Sequence, residues 1–515
     1  MMMLMSYQPT MTIVFASVVF ALVFGWLNQR PRPELLPSLI MLGWISTGAF
    51  AQDQDCESRL TGSPAAMVEQ KSAPNMVDPA PDKKFLPYDF STRVSLEAER
   101  AKSTRDGVRT EINTKALIDS EFTAFDPAYA THRRERQNRF LKLRLRLDDA
   151  KRRKQFRHCS EQLFKLSRVL VEYTAHWSLA DAALDRLEHS LDQLDQGDAG
   201  KQKPNGAWGG CVDDFVFELD QTVDALDQLS SESNPRPKLT YPLNFLSQIE
   251  RPDQLLGILY AHQISNIAAT GVFNRESLAS LSESVPQLLF KSYLGRIASD
   301  NGVNFLTDGY RQSYLRFLND TQDPSSGFWG PWLSLHDGIY RVLDLSMTYH
   351  IVAYRGGCVG RWPQIIETLF EIKDLPYPYG WLWRGQLNDH NNYDIVRFFE
   401  MAWPRMSEAQ RQRARTEIEK MVDWTLSNSF SSDGTLIFDK EFYDSLGAAY
   451  YFTISFLDEV GFWRKEKRFW NPASAMPPRA AALCTALRTQ VAALASANWA
   501  AASALTKLEV NCTAP

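Results

Sequence analysis

From about Leu96 to Leu194, apolar residues return at the spacing of a helix. Leu163, Leu166, Val169, Leu170 and Tyr173 form one such stripe, and Leu141, Leu143, Leu145 and Leu147 interleave with basic residues just before it. The pattern breaks at Lys201–Gly210 and again at Ser233-Asn234-Pro235-Arg236-Pro237, which read as loops. Helical periodicity resumes from about Leu239 to Trp463, cut by glycine- and aromatic-rich turns, with little β alternation of any length. Ala480–Leu508 reads as an alanine-rich helix. The pattern predicts a mainly α protein.

The N-terminal end is different. Residues 11–25 read MTIVFASVVFALVFG, and a second apolar stretch runs from Leu35 to Ala51. Between them lies the basic, proline-broken Asn28-Gln29-Arg30-Pro31-Arg32-Pro33, and the second stretch ends Ala49-Phe50-Ala51 before an acidic start. A positive flank, an apolar core and a small-residue exit are the parts of a secretory signal. The first run is short for a membrane span, which takes about 20 residues. An exported protein is expected, secreted, periplasmic or in the cell envelope. Membrane anchoring through this segment is the alternative. The chain thus divides into an N-terminal signal or anchor (1–51), a polar, proline-rich linker (52–95), a helical region (96–235), a larger helical domain (236–478) and the C-terminal alanine-rich helix (479–515).

Composition adds compartment and partner. The chain has 515 residues, of which 44% are hydrophobic and 23% charged, so a sizeable core is expected. Six cysteines, an even number with no CxxC pair, fit an oxidising compartment and disulfides. Cys484 and Cys512 flank one helical segment and are the favoured pair. A net charge of −5 carries no global pointer to nucleic acid. Locally, His132–His158 is densely basic. It reads either as a docking face for an acidic polymer or membrane surface, or as a solvated helix face balanced by the acidic stretch Asp181–Asp198; the charge balance favours the second. Aromatics reach 12%, with 14 Trp and 18 Tyr, as core packing or as sugar-stacking platforms.

A loose internal similarity is the most informative feature. QDPSSGFWGPW (Gln322–Trp332) leads into DLSMTYHIVAYRGG, and SSDGTLIFDKEF (Ser431–Phe442) leads into DSLGAAYYFTISFLDEVG. Each copy is a polar turn followed by an acidic residue opening a helix with paired aromatics, Tyr349-His350 and Tyr450-Tyr451. Asp344 and Asp444 stand where a helix N-cap or first turn belongs. This pattern, over about Leu306 to Trp463, resembles α/α-toroid proteins: terpene cyclases, protein prenyltransferases, and secreted polysaccharide lyases and hydrolases. The resemblance implies an (α/α) toroid, an incomplete barrel of helical hairpins, preceded by the helical N-terminal region.

Between the copies lies PYPYGWLWRGQLNDHNNYDIVRFFEMAWP, Pro376 to Pro404. A Pro/Tyr/Trp turn precedes Asn388-Asp389-His390-Asn391-Asn392-Tyr393-Asp394, and a helix is expected from Ile395 to Trp403. Polar residues packed before an apolar helix mark a candidate site. Equally, Asp394 serves as a helix cap, Asn391-Asn392 as a turn, and His350 as a satisfied core histidine. The run is similar to the N-N-H-G-x-x-Y-D run of alginate-lyase- and heparinase-like toroid enzymes. There, Asn and His neutralise the uronate carboxylate and help remove the C5 proton, and a Tyr is acid or base. The resemblance places His390 on the family's His. Asp389 stands where the family has Asn, and the gap to the tyrosine is shorter.

β-Elimination needs charge neutralisation, a base and a proton donor. Asn388, Asp389, His390, Tyr393 and Tyr349 are the candidate catalytic residues. Arg384, Trp381, Trp383, Trp329, His350 and Asp394 are the candidate substrate-binding residues. Hydrolysis needs two carboxylates, for which Asp389, Asp394, Asp337 and Glu400 are available. Nucleotide cradles, HExxH, GxSxG and the DxDD or DDxxD runs of terpenoid enzymes are absent from the sequence. No cofactor is expected; Asp433, Asp439 and Asp444 are oxygen donors of the kind calcium takes, without EF-hand spacing. The expected function is a polysaccharide lyase acting on a uronic-acid glycan. The alternatives are a non-catalytic glycan-binding or cell-envelope protein, a glycoside hydrolase, or a terpenoid cyclase-like protein.

Overall fold

The computed structural model describes residues 109–111, 114–153, 158–192, 202–209, 211–212, 214–230, 237–432, 434–443, 445–472, 479–495 and 499–512. The expected leader or anchor (1–51) and linker (52–95) lie outside these residues. The described chain is mainly α-helical. No described helix is long and apolar enough to cross a membrane.

Helices α1 (Thr114–Phe125), α2 (Tyr129–Arg152), α3 (His158–Tyr173) and α4 (Trp177–Asp192) come first. Packing of α2, α3 and α4 buries Leu143 and Leu147 against Leu163, Phe164, Leu184 and Leu187. Leu141 and Leu145 fall on the opposite face of α2 and are exposed. The basic run of α2 meets the acidic run of α4 directly. Arg136 pairs with Asp181 at 2.7 Å, Arg139 with Asp185 at 2.6 Å and Glu188 at 2.7 Å, and Arg146 with Glu188 at 3.2 Å. The charge-balanced reading of His132–His158 therefore holds for these arginines. A disulfide, Cys159–Cys211, ties the start of α3 to the loop before the next helix.

The larger core takes in apolar residues from Ala207 to Leu508, so the helices on either side of the expected 236–478 domain share its core. Six helices follow one another through it: α5 (Phe215–Leu229), α8 (Arg275–Phe290), α11 (Leu345–Tyr354), α13 (Asp389–Ala402), α15 (Leu446–Glu459) and α17 (Trp499–Cys512). Each packs on the next in that order. Between them in sequence run α6 (Pro252–Gln263), α7 (Ile267–Thr270), α9 (Ser292–Asp300), α10 (Asp308–Thr321), α12 (Trp362–Glu371), α14 (Glu408–Asn428) and α16 (Ala480–Ala495). Composition explains the two roles. α15 reads LGAAYYFTISFLDE and is buried from Gly447 to Asp458, all the way round. α14 reads EAQRQRARTEIEKMVDWTLSN and buries only Ala414, Ile418, Met421 and Thr425, a single stripe. The expected Cys484–Cys512 disulfide is present and joins α16 to α17. Cys358 is also disulfide-bonded.

A small sheet departs from the sequence reading. Strands β1 (Arg109–Glu111), β2 (Ile264–Ser265), β3 (Trp332–Leu335) and β4 (Gly338–Val342) pair in the order β1-β4-β3-β2. β3 and β4 form an antiparallel hairpin turning at His336-Asp337, with Leu335 opposite Gly338. Gly330, just before β3, lies so close to the Val342 carbonyl that any Cβ there would collide with it.

The starts of α8 and α11 are locked together. Asp344 caps α11 by accepting the Met347 N–H at 2.8 Å. The same carboxylate accepts Arg275 Nε at 2.7 Å and Nη2 at 3.1 Å, and both side chains are almost wholly buried. Asp444 lies outside the described residues, and Ser445 caps α15. Removing one partner of a buried ion pair strands the other charge, which costs about 3–5 kcal/mol. Asp344→Ala is accordingly expected to lower unfolding free energy by about 3 kcal/mol or more in urea denaturation, whereas a change under about 1 kcal/mol would show the pair to be dispensable.

Candidate functional site

The segment before α13 folds as a tight loop. Tyr377 N–H donates to the Leu382 carbonyl at 2.7 Å and Trp383 N–H to Gln386 at 2.8 Å. Asn388 then caps α13, its Oδ1 accepting the Asn391 N–H at 2.9 Å. The helix therefore starts at Asp389, six residues before the expected Ile395, and Asp394 sits inside it rather than at its end. Asn391 fastens the loop by donating to the Trp381 carbonyl at 2.8 Å.

An early start sets the helix phase. Asp389 faces α14 and α15, where its carboxylate accepts Thr425 Oγ1 at 2.6 Å and Thr453 Oγ1 at 2.5 Å. Burial raises its pKa and the hydroxyls oppose that rise. In this arrangement Asp389 ties three helices together. His390, Asp394 and Arg397 share another face, four and three residues apart.

His390 sits in an aromatic enclosure. Its ring centroid is 4.2 Å from Phe452 and 5.4 Å from both Tyr377 and Phe442. Only 12% of the side chain is exposed, and Nδ1 lies 4.0 Å from Asp394 Oδ2 and 3.1 Å from Asn391 Oδ1. Burial pushes its pKa down to about 4, so the ring is neutral at neutral pH. Asp394 is buried, and burial raises its carboxyl well above the ordinary range. Its Oδ2 accepts no hydrogen bond, and the Asn388 Nδ2 donor close by in the chain is likewise buried and bonded to nothing. Tyr377 donates to Ser346 Oγ on α11 at 2.9 Å, with burial holding the phenol protonated.

Further along α13, Arg397 Nη1 donates to Tyr393 Oη at 3.0 Å and Nε lies 3.6 Å from Glu459. Tyr349 packs edge-on to Tyr393 at 6.5 Å. His350 Nε2 lies 3.3 Å from Glu283 Oε1, and burial lowers its pKa to about 3. At the outer end Trp383 is half-buried, 4.9 Å from Phe442, with the Arg384 guanidinium 5.5 Å over its ring. Arg384 is exposed and pairs with Glu441.

Asn388, Asp389, His390, Tyr393 and Asp394 thus cluster on α13, with Trp383 and Arg384 at the outer end and Tyr349 and His350 on the adjoining α11. Trp381 is fully buried against Phe399, and Trp329 is buried in the core with its Nε1–H on the Leu318 carbonyl at 2.8 Å, so neither offers a face to solvent. Glu400 is exposed near the far end of α13, and Asp337 is in the hairpin turn. Tyr377, Phe442, Phe452 and Arg397 are members that sequence reasoning missed. Arg397 was findable, because it follows His390 at helical spacing once the helix is started at Asp389. Asp433 and Asp444 lie outside the described residues, Asp439 is exposed, and no group of three or more His, Cys, Asp or Glu among the described residues has metal-ligand geometry.

Comparisons with protein-family models, curated proteins and solved structures found no match to this chain.

The depressed histidine has a consequence for stability. In the unfolded chain His390 takes up a proton as pH falls through about 6.5, but in the folded chain only near 4. Stability is therefore lost between those values, by on the order of 3 kcal/mol for this group. Buried carboxyls with raised pKa act in the opposite sense, so the contribution is read as a difference. Wild type should lose stability relative to His390→Gln as pH falls from 7 to 4, measured by urea denaturation at each pH. A constant difference would mean that His390 titrates normally.

Proposed function

We propose that this chain is a polysaccharide-degrading enzyme on an incomplete α/α toroid, cleaving a uronic-acid-containing glycan by β-elimination at the start of α13. The toroid reading is supported by buried helices packing in succession, with single-stripe helices between them in sequence. Disulfides at Cys159–Cys211 and Cys484–Cys512 suit an exported protein, secreted, periplasmic or in the cell envelope.

One observation carries the chemistry: a neutral His390 two residues from Asn388, whose buried Nδ2 donor has no partner. An unsatisfied buried donor is costly unless something else uses it. In the proposed reaction Asn388 Nδ2 and Arg384 receive the uronate carboxylate, Arg384 leaving Glu441 to do so. His390 removes the C5 proton, the C4–O bond breaks, a C4=C5 double bond forms, and the Tyr377 hydroxyl protonates the departing oxygen. Trp383 offers the stacking surface. Asp389, already occupied by Thr425 and Thr453, is a positioning residue.

Glycoside hydrolysis is the second reading, favoured by Asp394, whose carboxyl burial shifts upward, the direction a general acid needs. A terpenoid role is disfavoured. The faces of α8, α11 and α13 carry Glu283, His350, Asp394 and Arg397, where a hydrocarbon substrate needs apolar walls.

The protein is to be incubated with uronate polymers and with neutral glycans, following the ultraviolet absorbance of unsaturated uronate ends alongside reducing ends. Absorbance should rise on a uronate polymer, and His390→Ala should slow it by about 10²–10⁴-fold. Reducing ends without absorbance, lost in Asp394→Asn, would replace elimination by hydrolysis. Silence in both signals with saturable glycan binding that needs Trp383 would leave a binding protein.

A further inference from the structure

A cavity of about 230 Å³ lies between α3, α4, α5 and α8, where the N-terminal helices meet the larger core, and none of its described lining residues is on α13. The volume is a little below the roughly 300–1,000 Å³ of drug-sized sites, which suits a smaller molecule. Sequence explains its apolar wall. Leu166, Val169 and Leu170 recur at helical spacing on α3, and Phe217 of α5 lines the same space. All four are only half-buried, so this wall is apolar surface that the packing of the helices leaves partly in contact with water.

The charges around the cavity cancel. Among its described lining residues, Lys165, Arg168 and Arg186 are matched by Asp214, Asp220 and Glu276, three of each sign. Each charge is also answered within the protein. Arg186 donates to the Cys211 carbonyl, Asp214 accepts the Phe217 N–H at 2.9 Å as the cap of α5, and Glu276 pairs with Arg275 at 3.0 Å. Asp220 accepts Gln221 Nε2 at 3.1 Å and feels the Lys165 charge, while the Arg168 charge acts on Glu172. Thr174 Oγ1 and Asn274 Nδ2 are spent on backbone carbonyls, of Gly271 at 3.0 Å and Ile264 at 3.3 Å. A charged ligand entering here loses water without gaining a counter-charge of its own, and a strongly polar one meets partners already engaged. Apolar contact is what the cavity rewards.

We propose that this cavity binds one small, neutral, apolar molecule, its body against Leu166, Val169, Leu170 and Phe217. The site is separate from the α13 cluster, so it stands whether or not the glycan reading does. Cationic and anionic relatives of the same molecule are disfavoured alike, because the lining offers neither sign in excess.

Isothermal titration of the full-length protein with 1-alkanols from butanol to decanol, and with octanoate and octylammonium, tests this. Octanol should saturate a single site. Affinity should rise about fourfold per methylene while the chain fits, the scale of burying one CH₂ group, and then level off. Octanoate and octylammonium should each bind roughly tenfold or more weakly than octanol. Val169→Phe, which fills the cavity, should abolish octanol binding. So should Ala182→Trp, which obstructs the exposed rim from the surface and keeps the test intact if the first variant does not fold. No saturable octanol binding, affinity that climbs unchecked to decanol, either ion binding as tightly as octanol, or octanol binding that survives either substitution in a folded protein would each overturn the proposal.

Discussion

The Asp344 carboxylate is the constraint on which the arrangement depends. It satisfies the first turn of α11 through the Met347 N–H and at the same time holds both donors of the Arg275 fork at the start of α8. Two successive buried helices thereby share one polar anchor, which sets their relative position along the axis. The loop after α12 is fastened to the same end, because the Leu345 N–H donates to the Pro378 carbonyl at 2.9 Å. That bond and the Tyr377–Ser346 bond bring the Pro376–Gln386 loop over α11. The candidate site is what this loop and α13 enclose.

Buried helices in succession leave an unusual interior. Aliphatic and aromatic side chains fill much of these helices, but Glu283, His350, His390 and Asp394 are polar and buried or nearly so. Burial disfavours the charged form of each group, lowering the pKa of the two histidines and raising that of the two carboxyls. Such groups cost stability and are unpromising as struts, since apolar residues of the same volume do better. Asp389 differs. Two threonine hydroxyls satisfy it, and its role is to join α13 to α14 and α15. Asp389 is fully partnered, whereas Asp394, five residues further along the same helix, keeps an oxygen without a hydrogen bond.

Much of the fold was legible in local pattern. Helical spacing marked the helices, Asp344 marked a cap, the flanking cysteines of the C-terminal segment marked a disulfide, and the opposed charges of α2 and α4 marked a salt-bridged face. The β-hairpin also has a signal in the sequence. Trp332-Leu333-Ser334-Leu335 and Ile339-Tyr340-Arg341-Val342 alternate around His336-Asp337-Gly338, a turn signal. Strands this short are easily outweighed by the helical periodicity around them. At the site, Asn388 to Asp394 was found because it is contiguous. The early start of α13 was not, because asparagines read as turn formers until one of them is seen to cap. Tyr377, Phe442 and Phe452 come from three separate segments, and only packing brings them onto His390. Trp329 and Trp381 illustrate the reverse: an aromatic side chain in sequence does not distinguish a stacking platform from a core ring.

Under the proposed function, substrate is held at the start of α13. A crystal structure of the His390→Ala protein soaked with a short oligouronate tests it most directly. A sugar ring should lie beside Trp383 with its carboxylate within hydrogen-bonding reach of Asn388 Nδ2 and Arg384, and the Arg384–Glu441 pair should be open. A saccharide bound elsewhere, with that pair and the aromatic enclosure of residue 390 unchanged, would contradict it.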